Sequence, residues 1–260
     1  MCLILLVWRA HPDFPCVLAA NRDEFHDRAS AAADWWPGSA GILAGRDLQA
    51  GGTWLGVTRR GRFAALTNFR DGGARRADAP SRGALVSELL ESGRSVESSV
   101  RHLQRVGGDY NPFNAIFSDG VRLGIYESAR GEGRELGPGI FGLSNHLLDT
   151  PWPKVRNAKS ALAAALADVQ DDSAILRLLR DERRAPDAEL PRTGASLEWE
   201  RLLSSAFVRA EDYGTRCSTV LRIDAKGHAE FTEWTWDAAG TEAGRRHFGF
   251  DIEPAHAGSD

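Results

Sequence analysis

The run Cys2-Leu3-Ile4-Leu5-Leu6-Val7-Trp8 is apolar without interruption, the pattern of a strand covered on both faces rather than one half exposed to water. Further strand-like runs fall at 15–20, 40–44, 53–58, 62–68, 113–118, 121–126, 139–143, 217–223 and 228–235. Turn chemistry separates several of them, at Arg59-Arg60-Gly61, Ser118-Asp119-Gly120 and Asp224-Ala225-Lys226-Gly227. Connections this short join antiparallel neighbours, because a parallel pair needs a crossover.

Helical spacing appears in two blocks. In the first, Ser81 stands as an N-cap before Leu85, Val86, Leu89 and Leu90, Gly93 ends the pattern, and Val96, Val100 and Leu103 continue it. The second spans 153–183: it opens at Pro153 and runs through Ala158 to Ala167. After Asp171-Asp172 it sets Ile175, Leu176, Leu178 and Leu179 on one face. The stretch 184–196 reads as a loop and 253–260 as a flexible tail. Strands, helices, strands, helices and a closing hairpin make an α+β order. Amphipathic helices over two stacked, mainly antiparallel sheets predict a four-layer αββα sandwich, one domain over 1–252.

Composition narrows the function classes. With 42% hydrophobic and 26% charged residues over 260 positions, the chain can bury a large core. A net charge of −4 argues against a general nucleic-acid binder, although arginines crowd positions 59–82. Cys2, Cys16 and Cys217 show neither metal-ligand spacing nor a disulfide framework, which suits a reducing, cytoplasmic setting. The apolar start is too short to span a bilayer and lacks the basic flank of a signal peptide. No lipidation motif or basic amphipathic helix points to stable membrane insertion.

Met1-Cys2 is the first candidate for chemistry. Removal of the initiator methionine would give one residue both a thiol and a free α-amine, so that nucleophile and base sit together. Asn21-Arg22-Asp23-Glu24 directly follows an apolar strand, and polar residues at a strand end are where sites are built. Asp23, reaching across a hairpin toward Cys2, would hold or orient that amine. Asn68 and Asn145 each close an apolar strand, where a side-chain amide can meet developing negative charge. Arg216 enters a late strand as a candidate for carboxylate or phosphate.

Taken together, Met1-Cys2, Ala19-Ala20-Asn21-Arg22-Asp23-Glu24, Gly51-Gly52-Thr53-Trp54-Leu55-Gly56, Ala65-Leu66-Thr67-Asn68, Gly142-Leu143-Ser144-Asn145 and Tyr213-Gly214-Thr215-Arg216 resemble the NRDE family, also called the Transport and Golgi organisation protein 2 family. That family is in turn distantly similar to the N-terminal-nucleophile amidohydrolases of the penicillin V acylase and bile-salt hydrolase group, which share an αββα sandwich. The resemblance implies Cys2 as nucleophile, Asp23 as partner of its amine, and Asn68 and Asn145 as oxyanion and amine-orienting amides. It implies a ligand site drawing on Asn21, Arg22, Glu24, Trp54, Arg70 and Arg216. One departure stands out: the acylases carry an arginine two residues before the position of Arg22, where this chain has Ala20.

Relatives in that family are implicated in moving haem and in handling acyl-CoA or other lipids. The expectation is therefore a carrier of a hydrophobic anionic metabolite, with a Cys2-dependent amide or thioester hydrolase as the alternative. No resident cofactor or metal is required, haem entering only as cargo. His26 and His146, beside two of the motifs, are the positional candidates for a haem ligand. Trp35 and Trp36 could wall an apolar pocket, although aromatic residues in apolar runs are more often core.

Overall fold

The first strand carries its apolar side chains into two different layers. In this computed structural model, which describes residues 2–39, 41–73 and 75–254 but not the side chain of Cys2, the chain opens with β1 (Cys2–Trp8). Ile4, Leu6 and Trp8 point into a cluster between two sheets; Leu3, Leu5 and Val7 point outward into a cluster under helices. Period-2 geometry with cover on both faces explains why every position is apolar. Each fully buried Leu, Ile or Val contributes about 1.5–3 kcal/mol of transfer free energy.

The remaining strands are β2 (Cys16–Phe25), β3 (Ser30–Trp35), β4 (Ile42–Asp47), β5 (Leu55–Thr58), β6 (Phe63–Asn68), β7 (Phe113–Ser118), β8 (Leu123–Glu127), β9 (Glu132–Leu136), β10 (Gly139–Leu143), β11 (Tyr213–Ile223), β12 (His228–Trp236) and β13 (Glu242–Asp251). One sheet has the order β10-β1-β2-β11-β12-β13, and the other is the meander β3 to β9. All pairings are antiparallel. Helices α3 (Pro153–Ala165) and α4 (Asp172–Leu179) cover the first sheet through Val155, Leu162, Ile175 and Leu179. Helices α1 (Gly83–Glu91) and α2 (Val96–Val106) cover the second through Leu85, Leu89, Val96 and Leu103. This is the α+β, four-layer αββα arrangement that the element order predicts.

Several local expectations are corrected. The polar quartet Asn21-Arg22-Asp23-Glu24 does not follow a strand but lies within β2, which continues to Phe25 and divides the four side chains between its faces. Ser81 is not the N-cap of α1. Arg82 holds that place without a side-chain cap, and the Ser81 hydroxyl accepts from the Gly83 N–H at 3.3 Å. The 153–183 block is two helices, separated by a 3₁₀ turn and restarted where Asp171 accepts from the Ser173 N–H. Strands β3, β9 and β13 and the short helix α5 (Leu197–Leu202) were not anticipated. All three strands are sheet edges with largely exposed residues, so no apolar period marks them. Ala40 in the expected 40–44 strand and residues 255–260 of the expected tail lie outside the described residues.

Candidate functional site

The pairing of β1, β2 and β11 sets Arg22 opposite Cys2 on one side and opposite Cys217 on the other. Arg22 extends into the space between the sheets and is only 6% exposed. Its guanidinium lies 4.3 Å from the Trp54 ring centroid, an attraction strengthened by the dry surroundings. The guanidinium also stands 3.9 Å from the Asp47 carboxylate and 3.5 Å from the Ser30 hydroxyl.

Asp47 is the hub of this cluster. Burial works against its charge, but the Ala50 and Gln49 N–H groups, at 3.1 and 3.0 Å, and Arg28, at 2.8 Å, hold its carboxyl below the usual carboxylate range. Glu24 completes the chain of charges, 3.9 Å from Arg28. Trp54 reaches Arg22 because two glycines make room. Gly52, at φ +72°, turns the chain so closely beneath the start of α1 that a Cβ would meet the Gly83 carbonyl at 2.6 Å. A Cβ at Gly45 would collide with the Trp54 ring itself.

Asn21 and Asp23 take the opposite face of β2. Asn21 is spent on structure: its Nδ2 donates to the carbonyls of Leu179 and Ala206 at 2.7 and 2.8 Å, and its Oδ1 accepts from Ser218 at 2.6 Å. These bonds pin the end of α4 and the 204–208 segment to the sheet. Asp23, 1% exposed, accepts from the Thr215 hydroxyl at 2.7 Å, and its carbonyl accepts from the Tyr213 hydroxyl at 2.9 Å. Burial pushes the Asp23 carboxyl up, opposed by the charge of Lys154 on α3 and by the Thr215 bond.

The two asparagines expected in the site are adjacent, with different duties. Asn68, at the end of β6, is half-buried and lines the pocket. Asn145 is fully buried, and its Nδ2 donates to the Asn68 carbonyl at 2.8 Å, which ties one sheet to the other. The Arg70 N–H returns a bond to the Asn145 carbonyl at 2.8 Å. Beyond it, the Arg70 guanidinium lies 4.7 Å from the Trp152 ring centroid and 3.1 Å from Glu200 on α5. Glu200 also accepts from the N–H of Thr193, drawing the 191–203 segment against the end of β6.

These elements surround a pocket of about 900 Å³. Arg22, Arg28, Arg70, Arg75, Arg76 and Arg82 line it, against Asp23, Glu24, Asp47 and Asp71, so the wall carries two positive charges in excess. Trp54, Phe69, Trp199 and Tyr213 supply apolar surface. Arg216 stands apart from this wall. Its guanidinium donates to the carbonyls of Phe25, His26 and Arg28 at 2.9, 3.1 and 3.2 Å and fixes the turn after β2.

The histidines also stand outside the pocket wall. His26 meets the Ala210 carbonyl at 3.2 Å. His146 stacks on Phe69 at 5.0 Å, packs near Trp152 and bonds the Thr150 hydroxyl, while burial and nearby arginines depress its basicity. Trp35 packs on Phe248 and Phe250 of β13, and Trp36 donates to the Ala44 carbonyl at 3.0 Å, so both serve the core. Ala20, in place of the acylase arginine, belongs to the cluster between the sheets. The Cys2 side chain and Met1, on which N-terminal activation turns, lie outside the described residues.

Arg28, Asp47, Lys154 and Glu233 escape a reading of the sequence. Arg28 and Asp47 meet from positions 19 residues apart on separate elements, with no local motif to join them. Glu233, on β12, faces the space between the sheets, accepts from the Ala33 N–H of β3 at 2.7 Å and faces Thr219 and Cys217. Burial raises its carboxyl to about 7.

Comparison with known proteins agrees with this architecture. A solved structure titled the mutant C2A conjugated bile acid hydrolase from Clostridium perfringens superposes with a TM-score of 0.54, covering 97% of this chain and 92% of that one. At 10% identity the likeness is one of fold. Among curated sequences, a Transport and Golgi organization protein 2 homolog from Bos taurus is 38% identical over 258 residues, spanning 90% of this chain and 92% of its own. A Mus musculus homolog is 36% identical and the Drosophila melanogaster protein 29% identical, each with the same coverage. The profile of the family described as Transport and Golgi organisation 2 matches residues 1–238, and the chain belongs to that family.

Proposed function

We propose that this protein binds and carries a small amphipathic anion, an acyl-CoA, another acidic lipid or haem, in the pocket at the end of the two sheets. The observation that carries this reading is the pocket wall, where arginines at the rim stand beside an aromatic surface. Arginine guanidinium groups suit phosphate and carboxylate in two-pronged geometry, and Trp54, Phe69 and Trp199 offer flat apolar faces to a chain or macrocycle. Arg75 and Arg82 would meet the acidic head; Asp47, hydrogen-bonded to Arg28 and ion-paired with Arg22, would form the floor with them. Haem would enter without a histidine ligand from the pocket wall. No described helix is long and apolar enough to cross a membrane, and we place the activity in the cytoplasm on the three dispersed cysteines.

A second reading rests on the register of Cys2 opposite Arg22, one residue from the buried Asp23. With Met1 removed, the Cys2 thiolate would attack an amide or thioester carbonyl. The leaving amine or thiol would depart with a proton, and water would release the acid. The hydrolase fold shared with the Clostridium perfringens enzyme supports this alternative, and Ala20 weakens it.

Titration of the purified protein and of Cys2→Ala with palmitoyl-CoA and with haem separates the two. Saturable binding that Cys2→Ala leaves unchanged supports the carrier. Turnover of palmitoyl-CoA or of an N-acyl amide that disappears in Cys2→Ala, in protein whose intact mass lacks Met1, supports the hydrolase. No saturable signal with either ligand removes the carrier reading.

A further inference from the structure

Two large aromatic side chains that folding leaves in water stand together at the pocket mouth. Phe25, at the end of β2, is 48% exposed, and Trp199, on α5, is 38% exposed; both line the pocket. Each ring packs edge-on against Tyr213 of β11, with centroids 5.1 and 5.4 Å away. Tyr213 is buried beneath them, and its hydroxyl donates to the Asp23 carbonyl at 2.9 Å. Single exposed apolar side chains are ordinary, but a contiguous aromatic surface fixed by packing marks a contact site. Rings held in this way lose little freedom when a partner covers them, which is why such residues anchor interfaces.

The residues flanking the rings are acidic. Asp27 lies just beyond Phe25, Glu198 precedes Trp199, and Glu211 and Asp212 precede Tyr213, with the Asp212 carbonyl accepting from the His26 N–H at 2.9 Å. All four are exposed, none lines the pocket, and none joins an ion pair among the described residues. Nearby cations are occupied: Arg28 by Asp47, Arg201 by Asp187 and Arg209 by Glu182, while Arg216 serves three carbonyls of the turn after β2. The arginines at 70–82 follow β6 of the other sheet. Carboxylates around an aromatic surface repel an anionic bilayer and suit a partner whose apolar side chains are bordered by cations.

We propose that Phe25, Tyr213 and Trp199 form a docking surface for a partner protein that presents an amphipathic helix, its apolar stripe bordered by lysine or arginine. The ring spacings of 5.1 and 5.4 Å match one helical turn, about 5.4 Å, so apolar side chains one turn apart reach successive rings. Basic side chains beside the stripe meet Asp27, Glu198, Glu211 and Asp212. Because the rings border the pocket, a partner seated there stands where cargo enters and leaves. Docking itself goes beyond the carrier reading and does not depend on what the pocket binds.

The probe is a synthetic amphipathic helix of leucine and lysine, titrated into the ligand-free protein by fluorescence anisotropy at physiological salt. A leucine–glutamate helix and a serine–lysine peptide of the same length are its controls. The expected result is saturable binding of one leucine–lysine helix, at least tenfold tighter than either control. Affinity should fall at least tenfold in Phe25→Ser/Trp199→Ser and several-fold in Asp27→Asn/Glu211→Gln/Asp212→Asn, whose changes lie outside the pocket wall. Val121 is an exposed apolar residue beyond Ser118, at the end of the second sheet away from Asn68, and Val121→Ser should bind as the wild type does. Equal affinity for the three peptides, unchanged affinity in the ring and acid variants, an equal loss in Val121→Ser, or no saturable binding overturns the proposal. Phosphatidylglycerol vesicles that retain the wild type but not Phe25→Ser would overturn it in favour of a lipid surface. Failure of palmitoyl-CoA and haem to bind removes the carrier reading and leaves this result standing.

Discussion

Glu233 gives this fold a pH dependence that can be worked out from one residue. Its carboxyl sits between the two sheets, bonded to the Ala33 N–H and facing Thr219 and Cys217, and burial lifts it from an ordinary 4.5 to about 7. A carboxyl raised on folding binds its proton more tightly in the native state. Its contribution is therefore fully present below pH 4.5 and is lost as pH rises through 7. At 1.36 kcal/mol per unit, the shift corresponds to roughly 3 kcal/mol lost between pH 4 and pH 8. Glu233→Gln keeps an acceptor for Ala33 and removes the charge, so the variant should lack this loss. Urea unfolding at half-unit steps from pH 4.5 to pH 8, with wild type and variant side by side, reads the difference directly. The two stability curves should diverge by about 3 kcal/mol, the variant being the more stable at pH 8. Curves that stay parallel would refute the reasoning, because Glu233 would then be as easily ionised folded as unfolded.

Asn21→Ala should cost about 2–4 kcal/mol in urea unfolding, since it strands the Leu179 and Ala206 carbonyls and the Ser218 hydroxyl in a buried place; a loss below about 0.5 kcal/mol would contradict that role. Gly45→Ala should push the Trp54 ring off Arg22, removing a contact worth about 1–2 kcal/mol, and shift one resonance in ¹⁹F-tryptophan NMR. Glu200→Gln leaves the Arg70 charge in its half-dry position without a carboxylate, and hydrogen exchange across 191–203 should quicken at least tenfold. Unchanged exchange there would mean that the Arg70–Glu200 pair does not hold the segment.

What the sequence disclosed follows from where each residue ends up. β1 was readable because both its faces are covered, and α2 because Val96, Val100 and Leu103 recur at helical spacing and are all buried against the second sheet. β3, β9 and β13 were not, because an edge strand with solvent on one side can be built from Ala, Gly, Arg and Glu with no period to betray it. Asn21-Arg22-Asp23-Glu24 was visible as a polar quartet. Its division, with Arg22 meeting Trp54 between the sheets and Asn21 meeting the helical layer, depends on a strand that continues through polar residues. Asn145 was recognised as an amide at a strand end, yet its bond to the Asn68 carbonyl joins positions 77 residues apart. Arg216 was visible as a cation, but its use by three carbonyls of one turn depends on the β11 bulge between Thr215 and Cys217. Contacts of this kind are set by topology, and no spacing rule anticipates them.

The central claim is that the arginine-rimmed pocket holds an amphipathic anion, and its most direct test is the affinity of palmitoyl-CoA for the wild type and for Arg75→Gln/Arg82→Gln. A wild type that binds one equivalent, with affinity falling at least tenfold in the double variant and weakening with added salt, is the predicted result. Equal affinity in the two proteins, or no saturable binding by the wild type, would contradict the account.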